Sequence, residues 1–523
     1  MSMDAREYAG RVRNTKRNII FALLQFVVSR ILPFIVRTIL IYRFGVEYLG
    51  LSSLFSSILS VLSLMELGFG TAVVYSMYKP IAEGDTAQIS AHLAYYRKIY
   101  RYVGIAILIA GIALMPFLKW LIRDPELPGH LNIYACYLIF LGDAVISYLL
   151  YGYLTAIPTA YQRRDILSQI DMGVQVFSCA LRCLVLLTAQ SFYCYLFAFP
   201  VITITRNLLT AVVIRRKFPE IVCRGELSLE QKLDLRRNVS GILINKMTNV
   251  SRNSIDSLCI SAFIGLVMTG IYSNYYFVMS SVLSCGIMVC QSMLASVGNS
   301  IAVESVGKNY DDMRKFNFIF MGIVSWATVC MLCLYQPFIK LWVTEKMMLG
   351  IPVVIGFCAY YYIMETGAIQ WLYHQGVGLW YESRYIMIGE AVSNIVLNII
   401  LCKLLGVFGI VLATVLSVFV TNGILCPRLL FRLYFKNGKL KEYWSDHACY
   451  AGTMVITAGI SWCICEKLFP MNMVGVRFMS SILCLGGRLI VCCFVAVGIF
   501  WLIWHKNVKY KEAVGWMKKI LMV

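Results

Sequence analysis

Arg30 and Arg37 stand inside the first long apolar segment of the chain, seven residues apart. Seven helical steps of about 100° bring the second to within about 20° of the first. Both guanidinium groups therefore leave one helix in the same direction. A charge at mid-bilayer depth costs about 2.5–3.5 kcal/mol on insertion scales. Guanidinium also pairs with phosphate through forked hydrogen bonds. Two such cations on one face point to a cavity that holds an anion. Snorkelling to the headgroups is the competing role, stronger for Arg37 near the outer end than for Arg30 near mid-depth. Pro33 lies between them and removes one backbone donor, so a kink or local opening is expected there.

A second polar stripe recurs about 220 residues on. With Asn245 at zero, Thr248 falls at about −60°, Asn249 at about 40°, Arg252 at about −20° and Asp256 at about 20°. Lys246 flanks this face. An arc of that polarity faces protein or water rather than lipid. An interhelical seam with Arg252 paired to Asp256 is the alternative to a binding wall. Arg30, Arg37, Lys246 and Arg252 together would cost about 10–14 kcal/mol, which an anionic substrate and cavity water would offset. Intramembrane acids are fewer: Glu66, Asp143, Asp256, Glu365 and Glu390. Glu66, Glu365 and Glu390 are the candidates for proton or sodium coupling, against a role in neutralising Arg182, Arg206, Lys246 or Arg488.

Other chemistry is not supported. There is no phosphate-binding loop of the G-x-x-x-x-G-K-[ST] kind, and no two histidines are close in sequence. Cys330 and Cys333 have no histidine or second cysteine pair near them in the chain to complete a zinc site. The cysteines read as small, reduced core residues, and no metal or cofactor is expected. Outer loops are short, which leaves little room for the active site of a polymerase or glycosyltransferase. The chain is read as a non-enzyme. Ser53, Ser56, Ser60 and Ser63 form a small-residue stripe that reads as a packing seam.

These residues need elements to hold them. The chain has 523 residues, 59% hydrophobic and only 14% charged. Apolar runs of membrane-crossing length recur throughout, so the fold class is all-α and polytopic. Fourteen spans are read, near 18–42, 50–78, 102–118, 132–158, 172–189, 191–214, 240–263, 269–298, 317–339, 350–373, 385–402, 406–427, 447–466 and 479–504. Lys and Arg number 32 in the segments on the N-terminal side of the membrane and 8 on the other. That asymmetry predicts cytoplasmic N- and C-termini. The net charge of +20 is thus a topology signal, and nucleic acid is not a partner. The stretch Asp85 to Arg101 reads as a short surface helix capped by Asp85.

An internal repeat organises the spans. Arg17-Asn18 recurs as Arg237-Asn238, and the G-x-x-x-x-G turn of Gly45 to Leu51 matches that of Gly265 to Ile271, both at an offset of 220. Six spans separate the copies, which implies a parallel repeat. The expected division is an N-terminal lobe 1–214, a cytoplasmic linker 215–239, a C-terminal lobe 240–427, and a last segment 428–523. That last segment holds a basic loop, two helices and the tail. The pattern is two six-helix lobes plus a C-terminal pair.

Phe44 to Leu51, Leu62 to Ala72, Tyr78-Lys79-Pro80 and Tyr95 to Lys98 resemble the polysaccharide-transport family of oligosaccharide flippases. These are Wzx-like members of the multidrug/oligosaccharidyl-lipid/polysaccharide (MOP) export superfamily. The resemblance is specific over residues 14–101 and elsewhere rests on span number and the repeat. It implies a MATE-like fold with two lobes around a V-shaped cavity, working by alternating access. It implies a bacterial inner-membrane flippase for undecaprenyl-pyrophosphate-linked oligosaccharide. Membrane lipids and other polysaccharide-assembly proteins are the implied partners. By position, Arg30 and Arg37 match the arginines that related lipid-II flippases carry on the first helix of one lobe, and Arg252 those of the other. The rival functions are an ion-coupled multidrug exporter of the same superfamily and an integral-membrane enzyme acting on the same lipid.

Overall fold

The structure, a computed structural model, describes residues 5–63, 69–122, 131–189, 191–436, 439–475 and 478–521. Side chains are described there except at 5–19, 234, 236–247, 249, 251, 253, 478 and 516–521. The described residues are helical almost throughout and include no strand. A helix satisfies its own backbone donors and acceptors, which is what an apolar chain in hydrocarbon requires.

The helices are α1 (Ala5–Phe44), α2 (Val46–Leu62), α3 (Phe69–Glu83), α4 (Thr86–Leu114), α5 (Ile133–Leu149), α6 (Ala156–Ala160), α7 (Arg164–Thr188), α8 (Phe192–Lys217) and α9 (Leu229–Phe263). They continue as α10 (Leu266–Val303), α11 (Val306–Trp342), α12 (Ile351–Thr366), α13 (Ala368–Val377), α14 (Arg384–Val418), α15 (Cys426–Leu430), α16 (Leu440–Leu468), α17 (Phe478–Trp504) and α18 (Val508–Leu521). Among the described residues, 10 helices are long and apolar enough to cross a membrane, or up to 11 with the bent pair Ile133–Leu149 and Tyr151–Ala160. The chain is a multi-pass membrane protein. It divides into two compact units, Met1–Gly270 and Ile271–Val523.

In the first unit α1 lies along α7, α7 along α8, and α8 along α5. α9 packs on α2 and α3. α1 runs unbroken through Pro33, so the expected opening is at most a local bend. Asp85 does cap a helix, accepting from the Gln88 backbone N–H at 2.9 Å. That helix does not stop at Arg101, however. It continues to Leu114, because no breaker separates the amphipathic start from the apolar run. The segment between α8 and α9 is docked on α4. Val222 donates to Ser90 Oγ at 3.2 Å, and Gln231 Nε2 to Gln88 Oε1 at 3.0 Å. Ser228 then opens α9 with a capping box.

The glycines of the repeat meet in space. Gly45 (φ 112°) and Gly265 (φ 135°) make equivalent turns that L side chains rarely adopt. One turn on, a Cβ on Gly50 would meet the Leu266 carbonyl oxygen and lie 3.1 Å from Gly270 N. A Cβ on Gly270 would meet the Val46 carbonyl oxygen and lie 3.2 Å from Gly50 N. Val46 corresponds to Leu266, and Gly50 to Gly270, at the repeat offset. The contact is therefore reciprocal, as at a local two-fold axis.

The serine stripe of α2 differs from its sequence reading. Ser56 and Ser60 are exposed, and the packed face is Leu51, Leu54, Phe55 and Ile58. Ser60 Oγ donates to the Ser56 carbonyl at 2.8 Å, so its hydroxyl is satisfied within the helix.

In the second unit α14 is a hairpin rather than one rod. Gly406 breaks it (φ 60°, ψ −137°). Asn394 Nδ2 reaches Thr414 Oγ1 at 3.1 Å and Ser417 Oγ at 3.2 Å. Residues 20 positions apart in a straight helix would lie about 30 Å apart. The two arms thus fold back on each other, over the separate spans 385–402 and 406–427 of the sequence reading. Two π-helical turns, Phe419–Leu425 and Phe431–Phe435, loosen the second arm.

Candidate functional site

Interior arginines gather on α1, α7 and α8. Arg30 is half-buried, with its guanidinium 5.4 Å from the centre of the Phe26 ring. Arg37, two turns on, is also half-buried and interacts electrostatically with Tyr195 at the start of α8. Arg182 of α7 acts on the same Tyr195 hydroxyl, and its guanidinium lies 4.1 Å from the centre of the Phe199 ring. Arg37 and Arg182 therefore converge on one buried phenol. Asp143 of α5 faces Arg182 electrostatically.

Further along the same helices Asp171 holds a second junction. It accepts from Arg206 Nε at 2.7 Å and from Gln25 Nε2 at 3.4 Å, tying α1, α7 and α8 together. Cys179 Sγ donates to the Leu32 carbonyl at 3.9 Å and keeps α1 in register with α7. Among the described residues, Arg30, Arg37, Arg182 and Arg206 of these helices thus stand with two carboxylates, Asp143 and Asp171. Among the described residues, guanidinium groups outnumber carboxylates in this group. Sequence reasoning had Arg182 and Arg206 only as cations awaiting neutralisation, and it missed Asp171, one residue outside the expected span. The seven-residue spacing of Arg182 from Gln175 and of Arg37 from Arg30 was the available signal. Only the packing of α1 on α7 joins the two.

The second stripe sits elsewhere in the first unit. Thr248, Arg252 and Asp256 are buried on α9, Arg252 at 7% exposure and Asp256 at 1%. Ser254, Ser257 and Ser261 of the same helix are buried too. Ser261 Oγ donates to the Leu121 carbonyl at 2.7 Å. The face is turned into protein, against α2 and α3, and neither Arg252 nor Asp256 is without a partner. Both α1 and α9 contact α2. The side chains of Asn245, Lys246 and Asn249 lie outside the described residues, as does Glu66.

Two candidate acids fall in the second unit. Glu365, at the end of α12, is 1% exposed, and neither carboxylate oxygen has a hydrogen-bond partner among the described residues. Gly286 of α10 makes room for it, since a Cβ there would run into the carboxylate. Cys290 and Tyr361 are its other close neighbours. The chain turns at Gly367 into α13, where Gln370 and His374 are also buried. Gln370 Oε1 and both His374 ring nitrogens have no hydrogen-bond partner among the described residues. Trp371 stacks on the His374 ring at 4.6 Å. Glu390, 3% exposed, lies on the first arm of α14, in line with Asn394 and Asn398. Asn398 Nδ2 donates to Asn394 Oδ1 at 3.3 Å. Asn394 thus pins the hairpin, with Glu390 one turn before it on the same arm, whereas Glu365 sits in a carboxylate-sized niche.

No family model matches the chain, and no curated protein does so significantly. Solved structures do. A lipid II flippase, MurJ, in an inward closed conformation superposes with TM-score 0.63 at 13% identity, covering 94% of this chain and 100% of that one. An inward-facing multidrug resistance MATE family transporter of the MOP superfamily gives 0.62 at 15% identity, covering 78% and 96%. A mutant of the Vibrio cholerae MATE transporter VcmN gives 0.56 at 14% identity, covering 81% and 99%. The chain therefore has the fold shared by these transporters and flippases.

Proposed function

We propose that the protein is a flippase that moves an anionic lipid-linked oligosaccharide headgroup across the membrane by alternating access. The surplus of interior arginines over carboxylates on α1, α5, α7 and α8 carries this reading. A surplus cation at this depth costs about 2.5–3.5 kcal/mol on insertion scales, and a pyrophosphate headgroup would offset it. Arg30 and Arg37 are the first residues expected to meet the phosphates, with Arg182 behind Arg37. Arg252 and Asp256, with Asn245, Lys246, Thr248 and Asn249, form a second polar face whose role is either to line the same path or to pin α9. The superfamily fold supports transport without bond making or breaking.

In this reading the substrate is undecaprenyl-pyrophosphate-linked oligosaccharide and the membrane is the bacterial inner membrane, with both termini cytoplasmic. The lobes correspond to 1–214 and 240–427, joined by 215–239. The segment 428–523 carries a peripheral helix pair. Glu365 is the leading candidate for ion coupling. An unpaired buried carboxylate is stabilised by a proton or a small cation, and Gly286 leaves it space.

A specific observation keeps the drug-exporter reading in play. Glu365 sits beside Tyr361 and Trp371-stacked His374 lies on the next helix, an acid-and-aromatic grouping suited to organic cations. Reconstitution in vesicles with labelled lipid-linked oligosaccharide separates the two. Translocation of intact lipid, lowered by Arg30→Ala and Arg37→Ala at equal protein levels, is expected. Extrusion of organic cations with no lipid translocation would overturn the proposal.

A further inference from the structure

Cys330 and Cys333 lack partners in the local sequence, but tertiary packing supplies them. Cys465 of α16 and Cys492 of α17 close on Cys333 of α11, and the three sulfur atoms lie within 4.8 Å of one another. All three residues are 0% exposed. Cys330 approaches Cys492 within hydrogen-bonding reach, so four thiols from three helices converge. Val329 and Ala458 close the cluster, and the Met454 thioether packs against it.

A cation stands beside the thiols. Arg488, one turn before Cys492 on α17, is 1% exposed. Its Nη1 donates to the Cys333 carbonyl at 3.0 Å, and its Nη2 to Glu466 Oε1 at 2.9 Å. Its Nε donates to the Phe469 carbonyl at 2.9 Å. Cys465 Sγ in turn donates to the Arg488 carbonyl at 3.9 Å. The guanidinium is locked to the backbone of the cluster itself.

We propose that Cys333, Cys465 and Cys492 form a thiolate site for one zinc ion, with Cys330 as the fourth ligand, joining α11 to the α16–α17 pair. Sulfurs around a tetrahedral zinc with bonds of about 2.3 Å lie about 3.8 Å apart, so a contraction of about 1 Å or less brings these three sulfurs onto the ion, and Cys330 closes in from beside Cys492. An all-sulfur donor set selects soft ions and excludes calcium and magnesium. Arg488, held against the Cys333 carbonyl, places a positive charge beside the thiolates and offsets part of theirs. On binding, four S–H bonds break, four zinc–sulfur bonds form, and four protons pass to water. No oxidation is involved.

The test uses the full-length protein in detergent, purified without chelator and analysed for metal content by mass spectrometry. About one zinc per chain is expected for the wild type. Cys333→Ser, Cys465→Ser and Cys492→Ser combined should abolish it, whereas Cys463→Ser, at an exposed position of α16, should leave it intact. Wild-type protein that holds no zinc, even after zinc is added, overturns the proposal, as does equal zinc in the triple variant. If that variant fails to fold, cobalt added to metal-free wild type decides. Thiolate-to-cobalt charge-transfer bands with intense four-coordinate visible bands support the site, and their absence overturns it.

Discussion

Arg30→Leu is expected to stabilise the protein while lowering transport. The cation costs about 2.5–3.5 kcal/mol at mid-depth. Its ring contact with Phe26, at 5.4 Å, returns about 0.5–2 kcal/mol. Removal therefore leaves a gain of at most about 3 kcal/mol in stability. Transport moves the other way. One charge-assisted hydrogen bond to phosphate is worth about 1.5–3 kcal/mol, or about 10- to 150-fold in affinity. Arg488→Leu provides the contrast. That guanidinium is buried and bonded to Glu466 and two carbonyls, and breaking such a pair costs about 3–5 kcal/mol. Stability is read by steric trapping in bicelles, and transport by vesicle assay at matched protein. If Arg30→Leu destabilises the fold and leaves transport unchanged, Arg30 is structural and the argument from its cost fails.

The glycine crossing should behave as one unit. Gly50→Ala and Gly270→Ala each place a methyl against partner backbone, an overpacking cost of about 1–3 kcal/mol. Once one methyl has spread the helices, the second meets less resistance, so the double variant should lose less than the sum; strict additivity in the same unfolding assay would count against the reciprocal contact. Glu365→Gln keeps the shape of its niche and removes the charge. Translocation by this variant should lose its response to an imposed proton or sodium gradient, and a retained response would exclude Glu365 as the coupling group.

How much of this was legible in the chain follows from the range of each interaction. Hydropathy and charge asymmetry are local sums, so the all-helical membrane fold could be read directly, as could Gly45 and Gly265 as turns at one repeat offset. Boundaries set by tertiary contact could not. α4 ran on past Arg101, and Ser56 and Ser60 of α2 turned away from its packed face. Arg30 and Arg37 were visible as anomalies, since a cation in an apolar run has an energetic cost wherever it points. Arg182 was visible only as a lone cation and Asp171 was missed, because only the packing of α1 along α7 brings residues about 150 positions apart into one group. The same reason hid the thiol cluster. Cys330 and Cys333 looked incomplete because their partners lie on α16 and α17, and sequence spacing records neighbours along a helix but not across it.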